Sequence, residues 1–230
     1  MYFNNTKEII QELNRAGQSH KPTLFIISFN TQEGFLYPLN KINNQNILYD
    51  FNGISNIPTH YTPSNKKFYW KPHYIPFKDY QQSFDIVTQN LLLGNSFLTN
   101  LTCATPIECN LSLKEIFYRA NAKYKLWIKN KFVVFSPEIF IQIHPDRTIY
   151  SYPMKGTIDA NEPDAKYKIL NDKKESAEHA TIVDLIRNDL SIIADKVTVS
   201  KYRYIDTITT HQGKLLQVSS EIKGILPENY

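Results

Sequence analysis

The sequence predicts an α+β fold in which strands dominate. Aromatic residues are abundant, with 15 Tyr, 13 Phe and 2 Trp against only 7 Gly. Such side chains suit a pleated, half-buried surface and argue against a disordered chain. The apolar pattern also changes along the chain. Helical spacing recurs in a few stretches, whereas long strand-forming runs fill the region after residue 96.

Taken in order, residues 6–17 place Ile9, Ile10 and Leu13 at helical spacing, with Gly17 as a stop. Residues 23–30, and shorter apolar segments around 36–37 and 47–49, read as strands separated by Asn-rich turns. Residues 52–76, rich in Asn, Pro, Ser and Lys, read as an exposed loop. A second helix is expected at 79–93, where Phe84, Val87, Leu91 and Leu92 share a face and Gly94 closes it. Long strands are expected at 97–109, 125–137 and 139–153, with a helix at 112–124 between the first two. The turn HPDRT makes 139–153 a hairpin. A helical stretch over 163–194 then precedes strand-like residues from Val197 onward.

Charge narrows the function only slightly. The net charge is +4, and the 26 Lys and Arg residues are spread along the chain, gathering no further than pairs such as Lys66-Lys67 and Lys173-Lys174. A nucleic-acid binder calls for a basic stripe with aromatics between the charges, so no nucleic-acid partner is expected. An enzyme handling a small anion fits this balance. The opening residues lack the apolar core of a secretory signal, and no run approaches the roughly 18 apolar residues of a membrane span. Cys103 and Cys109 lie in one expected strand and are not placed to pair. Two free thiols suit a reducing compartment, and the cytoplasm is the expected location. No Cys/His spacing suggests zinc.

Three segments carry chemistry. Lys155 sits in Pro-Met-Lys-Gly-Thr, directly after a strand. Gly156 lets the backbone approach a ligand, and Thr157 offers a hydroxyl and an amide. Between apolar neighbours and a tight turn, a lysine can lose solvation and become a neutral nucleophile; alone, a solvated turn lysine is the commoner case. Glu138 follows Ser136-Pro137 at a strand end, where a carboxyl beside a core can act as a general acid. A surface glutamate opening a hairpin is the alternative. In residues 177–194, Glu178, Ile182, Leu185 and Asp189 form one helical stripe, with Ile182, Val183, Leu185 and Ile186 as the apolar face. Packing that face would hold Glu178 at a cavity edge, where a carboxylate binds Mg²⁺. Arg187 and Asp189 are expected in structural ion pairs, and His179 is expected to be structural.

Together, Ser136-Pro137-Glu138, Pro153-Met154-Lys155-Gly156-Thr157 and AEHATIVDLIRNDL at 177–190 resemble the core of the chorismate-utilising enzymes. That family contains component I of anthranilate synthase, component I of aminodeoxychorismate synthase, isochorismate synthase and salicylate synthase. The resemblance runs over residues 94–226, with NSFLTNLT at 95–102 similar to a substrate-side strand. It implies large antiparallel sheets with flanking helices. Residues 1–93 would form the variable N-terminal part, and residues 94–230 an incomplete chorismate-binding catalytic domain, intertwined in one globular unit.

Lysine before Gly-Thr marks the aminodeoxychorismate synthases, whereas alanine is usual in anthranilate and isochorismate synthases. The chain is therefore most similar to the former. That likeness implies that Lys155 adds to C2 of chorismate and Glu138 protonates the departing C4 hydroxyl. Ammonia from a glutamine amidotransferase subunit would then attack C4, on the route to para-aminobenzoate and folate. It further implies that Glu178 holds Mg²⁺ against the ring carboxylate, which Gly156 and Thr157 contact. Two departures qualify it. Gln217-Val218-Ser219-Ser220 stands where many members carry His-Leu-Val-Ser, and Gln cannot titrate. The later segments of the family, including a second Mg²⁺-binding glutamate, do not occur. The chain is thus expected to be truncated, with weak Mg²⁺ binding and exposed sheet edges. The alternatives are an anthranilate synthase component I, or a non-catalytic relic that binds a partner.

Overall fold

The structure, a computed structural model, describes residues 1–59, 66–210 and 213–228. Its contacts divide the chain into two compact units, one of Met1–Thr59 with Ala120–Tyr230 and one of His60–Arg119. The boundary expected at 93/94 falls inside the second unit.

The first unit opens with β1 (Tyr2–Phe3), α1 (Thr6–Gln18), β2 (Thr23–Ile27) and β3 (Gly34–Pro38). Asn5 starts α1 by accepting from the Lys7 amide at 2.8 Å. The strands form an antiparallel sheet in the order β1-β3-β2. Next come β4 (Ile47–Phe51) and β5 (Ile54–Ser55). The second unit holds β6 (Trp70–Pro72), α2 (Phe77–Leu92), β7 (Ile107–Cys109) and α3 (Leu113–Arg119), with β6 and β7 antiparallel. Residues 60–65 of the expected loop lie outside the described residues.

In the first unit, β8 (Tyr124–Ile128) and β9 (Phe132–Ser136) complete a four-stranded sheet in the order β5-β4-β8-β9. Leu24, Ile47, Tyr49, Leu126 and Ile128 form its core. The chain continues through β10 (Gln142–Ile143), β11 (Thr148–Ser151), β12 (Met154–Asp159), α4 (Ala165–Asn171) and α5 (Lys173–Ser191). It ends in β13 (Asp195–Thr210) and β14 (Gly213–Ile225). β14 is the spine of a five-stranded antiparallel sheet. β13 pairs along one side of it, while β11 and β12 share the other and β10 pairs with β11. Among the described residues, β13 pairs only with β14. Ile149, Ile222 and Leu226 meet Val183 and Leu190 of α5 and Ala194 just beyond it in the second core cluster.

Several local expectations change. Residues 125–137 make the hairpin β8–β9, because Asn130 takes a left-handed turn conformation (φ 58°) that Asn tolerates well. Of 97–109, only Ile107–Cys109 pairs; Pro106, just before it, has no amide to give to a ladder. The helix expected over 163–194 breaks at Asp172, which is extended and accepts from the Glu175 amide at 2.9 Å, so it caps α5. Finally, the buried stripe of α5 runs through His179, Val183 and Leu190, while Leu185 is 51% exposed. His179, expected to be structural, is buried. Arg187 pairs with Asp184 at 2.8 Å and no ion pair to Asp189 is found among the described residues. No helix among them is long and apolar enough to cross a membrane.

Ile222 is fully buried at the contact between β14 and α5. Ile222→Ala is expected to lower unfolding free energy by about 2–5 kcal/mol, measured by urea denaturation.

Candidate functional site

The site gathers around the start of β12. Ser136-Pro137-Glu138 leaves β9 in a tight turn: the Ser136 hydroxyl donates to the Glu138 carbonyl at 2.9 Å and accepts from its amide at 3.1 Å. That turn aims the Glu138 carboxylate across the chain, where Oε1 accepts the Met154 amide at 3.1 Å. Glu138 is thereby brought to the residue preceding Lys155. Although much of the residue is exposed, crowding around its carboxyl raises the pKa, and the Met154 amide opposes the shift only in part. A hollow of about 270 Å³ lies here, lined by Glu138, Phe140, Tyr152, Pro153, Ile182 and Ile186.

β12 is irregular where the chemistry is concentrated. Its register against β14 shifts between Met154, opposite Ser219, and Thr157, opposite Gln217. Gly156 takes φ +96° in this bulge. A Cβ there would stand in ordinary contact with Glu175, 3.4 Å from its Oε2, so it is the left-handed backbone that calls for glycine. The bulge sends Lys155 toward α5. Its Nζ donates to Glu178 Oε2 at 2.7 Å and stands 3.7 Å from Glu175 Oε2. Lys174 approaches the same carboxylates, 3.4 Å from Glu178 and 3.7 Å from Glu175.

This pairing reverses one electrostatic expectation. The hydrogen bond to Glu178 outweighs desolvation and holds Lys155 above its usual lysine value, so it is an ammonium here. Glu178 is held below its usual value by the same contact. Thr157 is exposed and lines a groove of about 520 Å³ with Ile158, Lys168, Asn171, Asp172 and Glu175. That volume lies within the range of small-molecule sites, about 300–1,000 Å³.

Lys155, Gly156 and Glu178 thus meet with Glu175, and Glu138 reaches the adjoining backbone. Glu175 is the residue that sequence reasoning missed. Its signal was its position three residues before Glu178, one turn away on the same helix face. That this turn faces β12 is visible only in the tertiary contacts, from the approach of Gly156 and the ion pairs of Lys155. His179 is buried behind the site, its Nε2 sharing a hydrogen bond with the Ser220 hydroxyl at 2.7 Å. Burial lowers its pKa, the Lys155 backbone counteracts, and the Arg203 charge adds to the lowering. A neutral ring is the consequence.

Two outcomes follow. Gly156→Ala is expected to cost about 1–3 kcal/mol in urea unfolding, because it forces a β-carbon into left-handed backbone. The Lys155–Glu178 pair is partly exposed and contributes no more than about 1 kcal/mol. Glu178 has a lowered pKa, so its share is present above the ordinary carboxylate value of 4.5 and is lost as pH falls through the lowered one. Lys155 has a raised pKa, so its share is present below the ordinary 10.5 and is lost as pH rises through the raised one. The stability difference between wild type and Glu178→Gln should therefore be flat around neutrality and shrink at both extremes.

Comparisons with known proteins identify the family. Residues 16–230 match the family described as chorismate binding enzyme. The "Uncharacterized PabA-like protein" of Haemophilus influenzae is 46% identical over 224 residues, which are 97% of this chain and 67% of that protein. The "Putative aminodeoxychorismate synthase" of Schizosaccharomyces pombe is 31% identical over 172 residues, covering 69% of this chain and 22% of that protein. Among solved structures, the "putative 2,3-dihydroxybenzoate-specific isochorismate synthase, DhbC" of Bacillus anthracis superposes with a TM-score of 0.60 at 16% identity. It shares the fold over 99% of this chain, which spans 63% of that one. The chain belongs to the chorismate binding enzyme family.

Proposed function

We propose that the chain serves amination of chorismate at C4, the reaction of component I of aminodeoxychorismate synthases, with ammonia supplied by a glutamine amidotransferase subunit. The observation that carries this reading is Lys155, set on a glycine-permitted bulge 2.7 Å from Glu178 and next to the amide that holds Glu138. The likeness to the Schizosaccharomyces pombe protein supports the same class. The free thiols of Cys103 and Cys109 suit a cytoplasmic setting.

Lys155 becomes a nucleophile when its ion pair opens and Nζ gives up a proton through Glu178 to bulk water. The amine bonds to C2 of chorismate, the ring electrons shift, and the C4–O bond breaks. Glu138, held toward its protonated form, supplies the proton with which that oxygen leaves as water. Ammonia then bonds to C4 while the C2–N bond breaks and returns Lys155. Thr157, exposed on β12, offers its hydroxyl to the substrate carboxylate. Glu175 and Glu178 suit a hard cation such as Mg²⁺: two oxygen donors from one helical turn already flank a positive charge, the Lys155 ammonium. Bound there, Mg²⁺ would offset the charge of the ring carboxylate. With Glu175 beside Glu178, the acidic site is larger than the single carboxylate read from the sequence.

The test is chorismate turnover with Mg²⁺ and ammonium, followed by mass spectrometry. Aminodeoxychorismate is the expected product, and Lys155→Ala should slow its formation by about a thousandfold or more, about 4 kcal/mol in the barrier. Anthranilate formed equally well by Lys155→Ala would replace this reading with an anthranilate synthase.

A further inference from the structure

Arg203 lies outside the site, yet both neighbours of its acidic residues are tied to it. β13 slips register between Lys201 and Tyr204, and Arg203 within that bulge takes φ +51°. A side chain other than glycine persists in that conformation only where its surroundings hold it. Two sets of bonds do so. Its backbone amide donates to the Ser220 hydroxyl at 3.0 Å, and that hydroxyl also bonds His179 Nε2 at 2.7 Å. Its guanidinium donates through Nη1 to the Ser176 hydroxyl at 3.0 Å and reaches the Ile169 carbonyl in α4 through Nη2 at 3.4 Å. Ser176 follows Glu175, and His179 follows Glu178. The side chain therefore holds α5 at Ser176, between the two carboxylates, and ties it to the last turn of α4, while the backbone amide reaches His179, just beyond Glu178, through Ser220. The rigid fork of a guanidinium suits two acceptors on successive helices, which a lysine would serve less well.

We infer that Arg203 is a positioning residue that sets the first turn of α5 over β12, and so fixes where Glu175 and Glu178 stand against that strand for a divalent cation. The inference rests on the proposed cation site.

Mn²⁺ titration of the full chain, followed by electron paramagnetic resonance, tests it without reference to turnover. Arg203→Met should weaken Mn²⁺ binding by roughly 10–100-fold, the scale found for groups that orient metal ligands. Removing a nearby positive charge would by itself tighten cation binding, so weakening distinguishes positioning from electrostatics. Arg203→Lys should restore part of the affinity. Ser176→Ala should weaken binding in the same direction, and its effect should not multiply with that of Arg203→Met, because both break one bond. Should Arg203→Met fail to fold, Ser176→Ala and Arg203→Lys decide. Wild-type or tighter binding in these variants, with binding lost in Glu178→Gln, would overturn the role of Arg203 alone. Wild-type Mn²⁺ binding that is absent, or that survives Glu178→Gln, would remove the cation site and this inference with it.

Discussion

The rotation of α5 about its own axis is the constraint on which the rest of the site depends. His179, Val183 and Leu190 are its buried residues, and Val183 and Leu190 pack in one core with Ile149 and Ile222 of the sheet. With that stripe inward, Glu175 and Glu178 emerge at the side where β12 passes. A helix turned by one residue, about 100°, would carry both carboxylates away from Lys155. The hydrogen bond between His179 and Ser220 gives the stripe a polar register mark that Val and Leu alone would not supply.

The answering constraint lies in β12. A regular strand would carry its side chains alternately to the two faces of the sheet at the ladder's own register. The bulge at Gly156 breaks that alternation, and the left-handed glycine lets backbone pass beneath Glu175. A cation from the strand and two anions from the helix are thus brought together by backbone geometry on one side and packing on the other. The ion pair that results is the readout of this arrangement more than its cause, since a pair this exposed adds little stability. It does shift protonation: the contact with Glu178 holds the Lys155 ammonium more firmly than an ordinary lysine's. The expected loss of solvation is present but smaller.

Much of the site was legible. The segments containing Glu138, Lys155, Gly156, Thr157 and Glu178 each combine a reactive group with a turn or helix signal, and these signals are local. Burial at Glu138 acts in the direction read from its place at a strand end. What was not legible depended on neighbours distant in sequence. Glu175 looked like any charged residue in a first helical turn, and Arg203 like any exposed strand cation. Leu185 shares a helical stripe with Glu178 and lies outward, because the buried stripe runs through His179. The strand expected over 97–109 is mostly irregular, because a strand also needs a partner, which a local pattern does not specify.

The sequence by itself determined the family-bearing segments, the α+β class, and the positions where glycine and aspartate punctuate the chain, since these follow from dihedral preference and short-range periodicity. Tertiary structure alone decided which side chains meet. Lys155 with Glu178, Arg203 with Ser176, and His179 with Ser220 are separated by 23, 27 and 41 residues. Contacts at such distances are set by sheet register and helix rotation, which minimise the free energy of the whole fold and leave no local trace in the chain.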